Sequence, residues 1–433
     1  MNISKSKNHN PNYLAKIIQV KGLRKHANAD RLQVLSVDFQ DVITGLDTKE
    51  GDICVFFPLE SKIMSTFLSH TNSFRDKELN ADQTQTGFFE KTGRVRAVRL
   101  RGEKSMGYLV PIVTLENWCG AKLSSVIGEE FDTIGDILIV EKYVVPTRSV
   151  PHVRQGKKPR ISRLVEGQVH LHVDTENLRR NAFKINPEDD ISITYKLHGT
   201  SFWVANVLCK RKLGVLEKTL RFLGVKIQET EYDHVYGSRK VVKNQYETQN
   251  TQDFYDSDLW GTLKDEFKDL VPKGYTFYGE CVGYTARGRL IQAKYDYGCK
   301  QYEHKTYIYR ITFTNPDGLV VELSTSDTQQ MAERGGFNYV PHFYSGKAKD
   351  LFPELKIDIE NNTIWHHKFM ILLADKYNEK NCFICRNIVP EEGIVLRKEK
   401  LFEFESYKLK SFAFLEYETA QLDAGAEDIE SQN

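Results

Sequence analysis

Along the first third of the chain, apolar residues come in short runs, at 17–20, 32–37, 53–57 and 137–140, punctuated by Gly45, Gly51-Asp52, Gly93, Gly102 and Gly107. Runs of this length with no helical period between them predict strands. A succession of such strands without helices predicts a small closed or partly open β-barrel. The pattern changes at residues 191–201, ISITYKLHGTS. Here Ile191, Ile193 and Tyr195 alternate with Ser192 and Thr194, and the strand runs into Lys196, His198, Gly199 and Thr200. Beyond it the periods mix. Residues 215–223 carry Val215, Leu216, Leu220, Phe222 and Leu223 at helical spacing, which predicts a helix packed as core or as a lid. Residues 326–334 predict a second helix, capped by Ser326 with Gln329 three residues on and stopped by Gly335-Gly336. Aromatic or charged strands follow in YTFYGECVG, YIYRITF, EEGIVLR and YKLKS. The class is therefore α+β.

Length divides this pattern into domains. A chain of 433 residues exceeds one ordinary core. Residues 146–163, PTRSVPHVRQGKKPRISR, hold three prolines, one glycine and six Lys/Arg with no acid, the composition of a linker. The expected layout is a flexible start at 1–10, a barrel at 11–145, a basic linker at 146–168, a mixed domain at 169–417 and an acidic disordered tail at 418–433.

Net charge is +1, so any nucleic-acid footprint must be local. Two stretches qualify. Arg94, Arg96, Arg99 and Arg101, with Lys104, form one basic patch, and alternation puts Arg94 and Arg96 on one strand face. Lys157, Lys158 and Arg160 form another in the linker, suited to a phosphate backbone. Seven scattered cysteines suit a reducing compartment. Cys382 and Cys385 make a C-x-x-C with no second pair at zinc spacing. There is no apolar run of membrane length, and MNISKSKNHN is too polar for a signal peptide. A soluble protein of the cytoplasm or nucleus is expected.

The chemistry lies in the second domain. A lysine at a strand end beside a glycine is a candidate nucleophile. With a free pKa of roughly 10 it needs desolvation or cationic neighbours to lose its proton. Downstream come Arg239 and Glu280, then Tyr307 and Tyr309 on one strand face. Glu392 follows before Gly393, and Lys408 and Lys410 sit two apart and so on one face. Singly, each is an ordinary rim residue. In this order they supply what nucleotidyl transfer requires. Cations and a divalent metal near Glu392 would stabilise charge developing at an α-phosphate. Arg239 would fork onto a phosphate or ribose oxygen, Glu280 would accept from ribose hydroxyls, and an aromatic would stack on the base.

The ordered set resembles the covalent nucleotidyltransferase superfamily of ATP-dependent ligases and RNA capping enzymes. KLHGTS is similar to its motif I, YGSRK to motif Ia, FYGE to motif III, YIYRITF to motif IIIa, EGIVLR to motif IV and YKLK to motif V, over roughly 173–414. His198 resembles RNA ligases, since DNA ligases and capping enzymes usually carry Asp there. Residues 20–37 and 93–111 resemble OB-fold modules that bind RNA, and the whole is most similar to the fifth RNA ligase family, with its N-terminal OB module. GYTARGRLIQAKYDYG after Glu280 and VPHFYSG at 340–346 are similar too. About twenty residues follow Lys410, leaving no room for the C-terminal OB domain expected in DNA ligases and capping enzymes. The long stretch between motifs IIIa and IV, with its C-x-x-C, and Arg310 amid tyrosines depart from the pattern.

The resemblance implies an antiparallel nucleotidyltransferase domain with flanking helices behind the OB-fold barrel, using ATP with Mg2+ or Mn2+. Lys196 would form lysyl–AMP, and Tyr195, His198 and Gly199 would line the nucleotide. Arg239 and Glu280 would hold sugar and phosphate, and Tyr307 or Tyr309 would stack on adenine. Glu392 would hold a hydrated metal, and Lys408 and Lys410 would bind the α-phosphate. AMP would pass to a 5′-phosphate and a 3′-hydroxyl would displace it, sealing RNA ends or nicks in duplexes, with RNA–DNA hybrids as a further partner. A monomer is expected. Two alternatives stand beside this reading: a DNA ligase or capping-type guanylyltransferase, and a non-catalytic RNA-binding protein that keeps the fold.

Overall fold

The computed structural model describes residues 2–124, 126–144, 163–239, 241–243, 258–357 and 363–425. The apolar runs at the start form strands, as their spacing requires. They include β1 (Ala15–Gln19), β2 (Leu32–Val37), β3 (Gln40–Gly45), β4 (Ile53–Pro58) and β5 (Gly107–Pro111). Antiparallel ladders join β4 to both β1 and β5, and β2 to β3. Both faces of β4 are covered. Val55 and Phe57 point into one apolar cluster with Ile17, Phe67 and Leu115, while Cys54 and Phe56 point into another with Val20, Leu35 and Val42. Helix α1 (Ile112–Cys119) closes this module and ends on Gly120, whose φ of +68° is the left-handed cap that favours glycine.

The second module contributes β6 (Asp190–Lys196), β7 (Thr200–Lys210), α2 (Val215–Phe222), β8 (Thr230–Gly237), α3 (Leu259–Phe267), β9 (Tyr275–Gly283), β10 (His304–Thr314) and β11 (Val320–Glu322). It continues with α4 (Thr325–Arg334), β12 (His342–Lys347), α5 (Thr363–Tyr377), β13 (Gly393–Lys398), β14 (Glu405–Lys410) and α6 (Phe412–Asp423). One antiparallel sheet runs β14–β13–β6–β12, and the other β8–β7–β9–β10–β11. Alternation along β6 sends Ile191 and Ile193 into the core beneath α5, against Trp365, Phe369 and Leu373. It leaves Ser192, Thr194 and Lys196 for the opposite face. In the other sheet, Phe202, Val204, Phe277 and Cys281 pack under α3, against Leu259, Trp260, Leu263 and Phe267. Each sheet thus has a helix-covered side. Leu197, His198 and Gly199 carry the chain from β6 to β7, from one sheet to the other.

Several expectations are corrected. The start at 1–10 is not loose: Ile3 is buried, Ile3–Ser4 pairs with Thr133–Ile134, and Ser6 N donates to Asp132 Oδ1 at 2.6 Å. Of the linker 146–168, residues 146–162 lie outside the described residues, and with them Lys157, Lys158 and Arg160. Residues 163–168 belong to the second module, where Arg163 bridges Glu231 and Asp233 and the buried Gln168 donates to Asn315 O. The tail begins later than 418, because α6 continues to Asp423. Helix α2 forms but covers no core, with Val215 84% and Phe222 90% exposed. The cap of α4 is Ser324 rather than Ser326; its hydroxyl accepts from Asp327 N at 3.0 Å.

The arginine patch has partners within the protein. Arg94 is buried beneath the Tyr143 ring, Arg96 pairs with Asp423 at 2.8 Å, Arg99 pairs with Glu416 at 2.8 Å, and Lys104 pairs with Glu379 at 2.9 Å. Arg96, Arg99 and Lys104 dock the barrel onto α6 and the turn after α5, around an apolar seam of Leu59, Ala97, Met106, Phe412 and Leu415. Arg101 alone of the four arginines keeps an exposed side chain without an ion pair among the described residues.

Candidate active site

Between the two sheets lies a cavity open to solvent at its mouth, with roughly 820 Å³ of space counting that mouth. Ser192, Thr194, Tyr195 and Lys196 of β6 line it, with Val395 and Arg397 of β13 and Lys408 of β14. The other sheet supplies Ser201, Glu280 and Tyr309, and Arg239 projects from just beyond β8.

Lys196 stands at the end of β6 opposite Gly393 in the ladder. Its Nζ lies 2.6 Å from Glu392 Oε1, with the lysine side chain 15% and the glutamate 1% exposed. A buried carboxylate in contact with an amine is a strong electrostatic element, because desolvation is tolerated only with charge compensation. His198 Nδ1 lies 3.8 Å from the other Glu392 oxygen, and its ring is held edge-on between Tyr295 and Phe414. The His198 backbone N–H donates to Tyr297 Oη at 2.6 Å.

Glu280 fixes the crossing between the sheets. Its Oε1 accepts from Gly199 N at 3.1 Å and its Oε2 from Ser201 Oγ at 3.1 Å. Glycine at 199 is a packing requirement: a Cβ there would sit 2.4 Å from Cys281 O and 2.7 Å from Val282 Cγ1. Gly393 combines both reasons, with φ +137° and a Cβ that would lie 2.1 Å from Leu409 O. Arg239 donates to Asp174 Oδ1 through Nε at 2.9 Å and Nη2 at 2.6 Å.

The paired tyrosines separate. Tyr309 lines the cavity, its hydroxyl 2.9 Å from His172 Nδ1, while Tyr307 packs beside Leu197, Val282 and Tyr295. Burial pushes the Tyr307 phenol upward, and that of Tyr309 further. The two lysines separate as well. Lys408 lines the cavity, but Lys410 is held outside it by Glu60 of the barrel at 3.2 Å and Glu418 of α6 at 3.0 Å. Glu60, a non-glycine residue at φ +62°, has its carboxyl held well below the usual range. Burial would push it up, but Lys410 and Lys408 outweigh that effect. Arg310, which the tyrosine pattern left without a role, is a buried support: it pairs with Glu322 between the rings of Tyr278 and Phe404.

Residues the motif reading missed complete the wall: His172, Thr175, Thr325, Tyr339, Val340, Arg397 and Phe404. Most are small or apolar and carry no sequence signal. Arg397 had one, since it closes the EGIVLR motif two positions from Val395 and so on the same strand face. It is 5% exposed, donates from Nη2 to Leu323 O at 2.7 Å, and its Nη1 has no hydrogen-bond partner among the described residues. A buried donor at a cavity wall is suited to an acceptor on a ligand.

A lysine at the base of a cleft between two antiparallel sheets, faced by a second lysine, an arginine and two buried glutamates, defines a nucleotidyltransferase-type site. Residues 189–412, more than half of the chain, match the RNA ligase family, and residues 14–112 match an OB-fold domain. The chain belongs to the RNA ligase family. Its fold is similar to solved structures of a Naegleria gruberi RNA ligase. A mutant of that enzyme with AMP and Mn superposes with a TM-score of 0.56 at 16% identity, covering 93% of this chain and 98% of that one. A mutant with ATP and Mn gives 0.55 at 15%, over 94% and 98%. The form with pyrophosphate gives 0.54 at 17%, over 94% and 99%. No curated protein sequence matches the chain. No helix among the described residues is long and apolar enough to cross a membrane.

Proposed function

We propose that this RNA ligase uses ATP to join an RNA 3′-hydroxyl to a 5′-phosphate through a lysyl–AMP intermediate on Lys196. The contact between Lys196 and Glu392 at the base of the cavity carries this reading. ATP enters with its α-phosphate toward Lys196 and its base toward Tyr309. Glu280 and Arg239 take the ribose and phosphate oxygens, Lys408 meets the α-phosphate from the facing strand, and Arg397 Nη1 offers a donor. The unprotonated Nζ of Lys196 attacks the α-phosphorus. An N–P bond forms, the bond to the bridging oxygen breaks, and pyrophosphate leaves. Lys408 compensates the charge that grows on the non-bridging oxygens. AMP then moves to the RNA 5′-phosphate, and the 3′-hydroxyl displaces it.

The donor set around Lys196 suits a hydrated divalent cation. Among the described residues no three His, Cys, Asp or Glu side chains cluster as a metal site. A cation at Glu392 would therefore be held by one carboxylate and water, as Mg2+ and Mn2+ commonly are. When bound, it supplies positive charge that favours the neutral amine and the developing charge on phosphate.

The test is ligation of duplexes carrying one labelled 5′-phosphate at a nick, built as RNA, as DNA and as hybrids, with ATP or GTP. The proposal expects joined RNA with ATP, and loss of product in Lys196→Ala and Glu280→Ala. Joining only of DNA, or transfer of GMP from GTP, would place the enzyme in the other branches of the superfamily. RNA binding unchanged in Lys196→Ala, with no joining by wild type, would favour a binding protein.

A further inference from the structure

The C-x-x-C pair touches the strand that carries the proposed nucleophile. Cys382 and Cys385 sit in the turn between α5 and β13, closed by Cys382 N donating to Val389 O at 2.8 Å and leading into Glu392. The turn is pinned to the site by Arg386 N donating to Asp296 Oδ1 at 2.9 Å and by Tyr295 Oη donating to Pro390 O at 2.7 Å. Phe383, between the two cysteines, packs edge-on against the ring of Tyr195 with centroids 4.9 Å apart. Cys382 also belongs to the apolar cluster that holds Tyr195, and Cys385 packs against that cluster. Both are free cysteines, with Cys382 buried and Cys385 partly exposed beside the exposed Phe383 and Ile388.

We propose that Cys382 and Cys385 are a reversible oxidation site, whose disulfide displaces Tyr195 and slows adenylylation of Lys196. A hydroperoxide is the oxidant. The Cys382 thiolate attacks one peroxide oxygen, forming an S–O bond as the O–O bond breaks, and with a proton from solvent the first water (or alcohol) leaves. The Cys385 thiol then attacks the sulfenic sulfur; the S–S bond forms, the S–O bond breaks, and its proton leaves in a second water. The environment favours this order. The neighbouring Cys385 thiol, against the opposing effect of burial, holds the Cys382 thiol below its ordinary value, with the N–H groups of Ile384 and Cys385 acting in the same direction. The disulfide shortens the turn and draws Phe383 along, and with it the edge-on contact to the Tyr195 ring. Tyr195 precedes Lys196 in β6, so that shift reaches the nucleophile.

The effect on rate rests on the lysyl–AMP reading, whereas the disulfide does not. Trypsin should release the hexapeptide NCFICR, residues 381–386, holding both cysteines. After treating the full chain with hydrogen peroxide and blocking with iodoacetamide, this peptide should lack both alkyl groups and weigh two hydrogens less. Dithiothreitol should reverse the change. Adenylylation of oxidised wild type should fall roughly tenfold, the scale of a small misplacement of a reacting group. It should recover on reduction, and Cys382→Ser and Cys385→Ser should keep the reduced wild-type rate through the same peroxide dose. Both thiols alkylated after peroxide, or stoichiometric zinc bound by the pair, would overturn the site. A disulfide with unchanged labelling would overturn its link to Lys196. If reduced wild type takes no label at all, the failure lies with the nucleotidyl reading, and the peptide mass alone decides the disulfide.

Discussion

Arg310→Met tests whether the cavity between the two sheets depends on a buried ion pair in the strand behind it. Arg310 and Glu322 are each 4% exposed in their side chains, and Arg310 Nε donates to Glu322 Oε2 at 2.9 Å. The guanidinium carbon lies 4.4 Å from the ring centroids of both Tyr278 and Phe404, and Phe404 lines the cavity. Methionine removes the charge and leaves Glu322 buried without its partner, which costs about 3–5 kcal/mol. Loss of the cation–π contacts adds about 0.5–2 kcal/mol. For a module of this size, each kcal/mol lowers Tm by roughly 2–4 °C, so the drop should be about 7–28 °C. Scanning calorimetry of the full chain would follow the transition of the catalytic module. Arg310→Met/Glu322→Leu removes both charges and should recover most of the loss, because an apolar pair of similar volume replaces them. A single mutant within about 1 kcal/mol of wild type, or a double mutant no better than the single, would refute the reasoning.

Four further outcomes follow from the same geometry. Gly199→Ala forces a Cβ to within 2.4 Å of Cys281 O, so labelling of Lys196 by ATP should be lost while thermal unfolding of the barrel module is unchanged. Glu60 has a depressed carboxyl pKa, so its stabilising effect is complete above the ordinary glutamate value of roughly 4.3 and fades as pH falls below it. The stability gap between wild type and Glu60→Gln should accordingly be largest near neutral pH, begin to shrink below about pH 5 and go on shrinking as pH falls past about 3 in denaturant titrations. Arg99→Ala breaks the contact with Glu416 and Phe412, so it should lower stability without reducing the salt dependence of RNA binding. Arg101→Ala should reduce that salt slope by about one phosphate contact in filter-binding assays and leave stability alone.

The features legible in the sequence are those with local causes. Alternation in ISITYK put Ile191 and Ile193 in the core and Lys196 at the cavity, because strand geometry forces the period of two. The short apolar runs became barrel strands for the same reason. What the pattern could not carry was partnership across the chain. Arg94, Arg96 and Arg99 look like a phosphate-binding stripe until α6 supplies Asp423 and Glu416 more than 300 positions away in sequence. Lys408 and Lys410 share a strand face, yet the approach of Glu60 and Glu418 separates their roles. Tyr307 and Tyr309 likewise share a face, but a register shift in the β9–β10 ladder between Tyr278 and Gly279 accompanies their different surroundings. Helix α2 shows the opposite failure: its apolar spacing was legible, but spacing alone does not reveal whether a core lies beneath it. The cavity wall of Thr175, Thr325 and Val340 was silent because such residues line any interior.

The central claim is the covalent role of Lys196, and labelling with ATP carrying a radioactive α-phosphate tests it most directly. Wild type incubated with Mg2+ or Mn2+ should keep the label after denaturation, and the labelled tryptic peptide should contain Lys196. Lys196→Ala should keep none. Wild type that takes no label with either metal, or a Lys196→Ala protein that labels as well as wild type, would contradict the account.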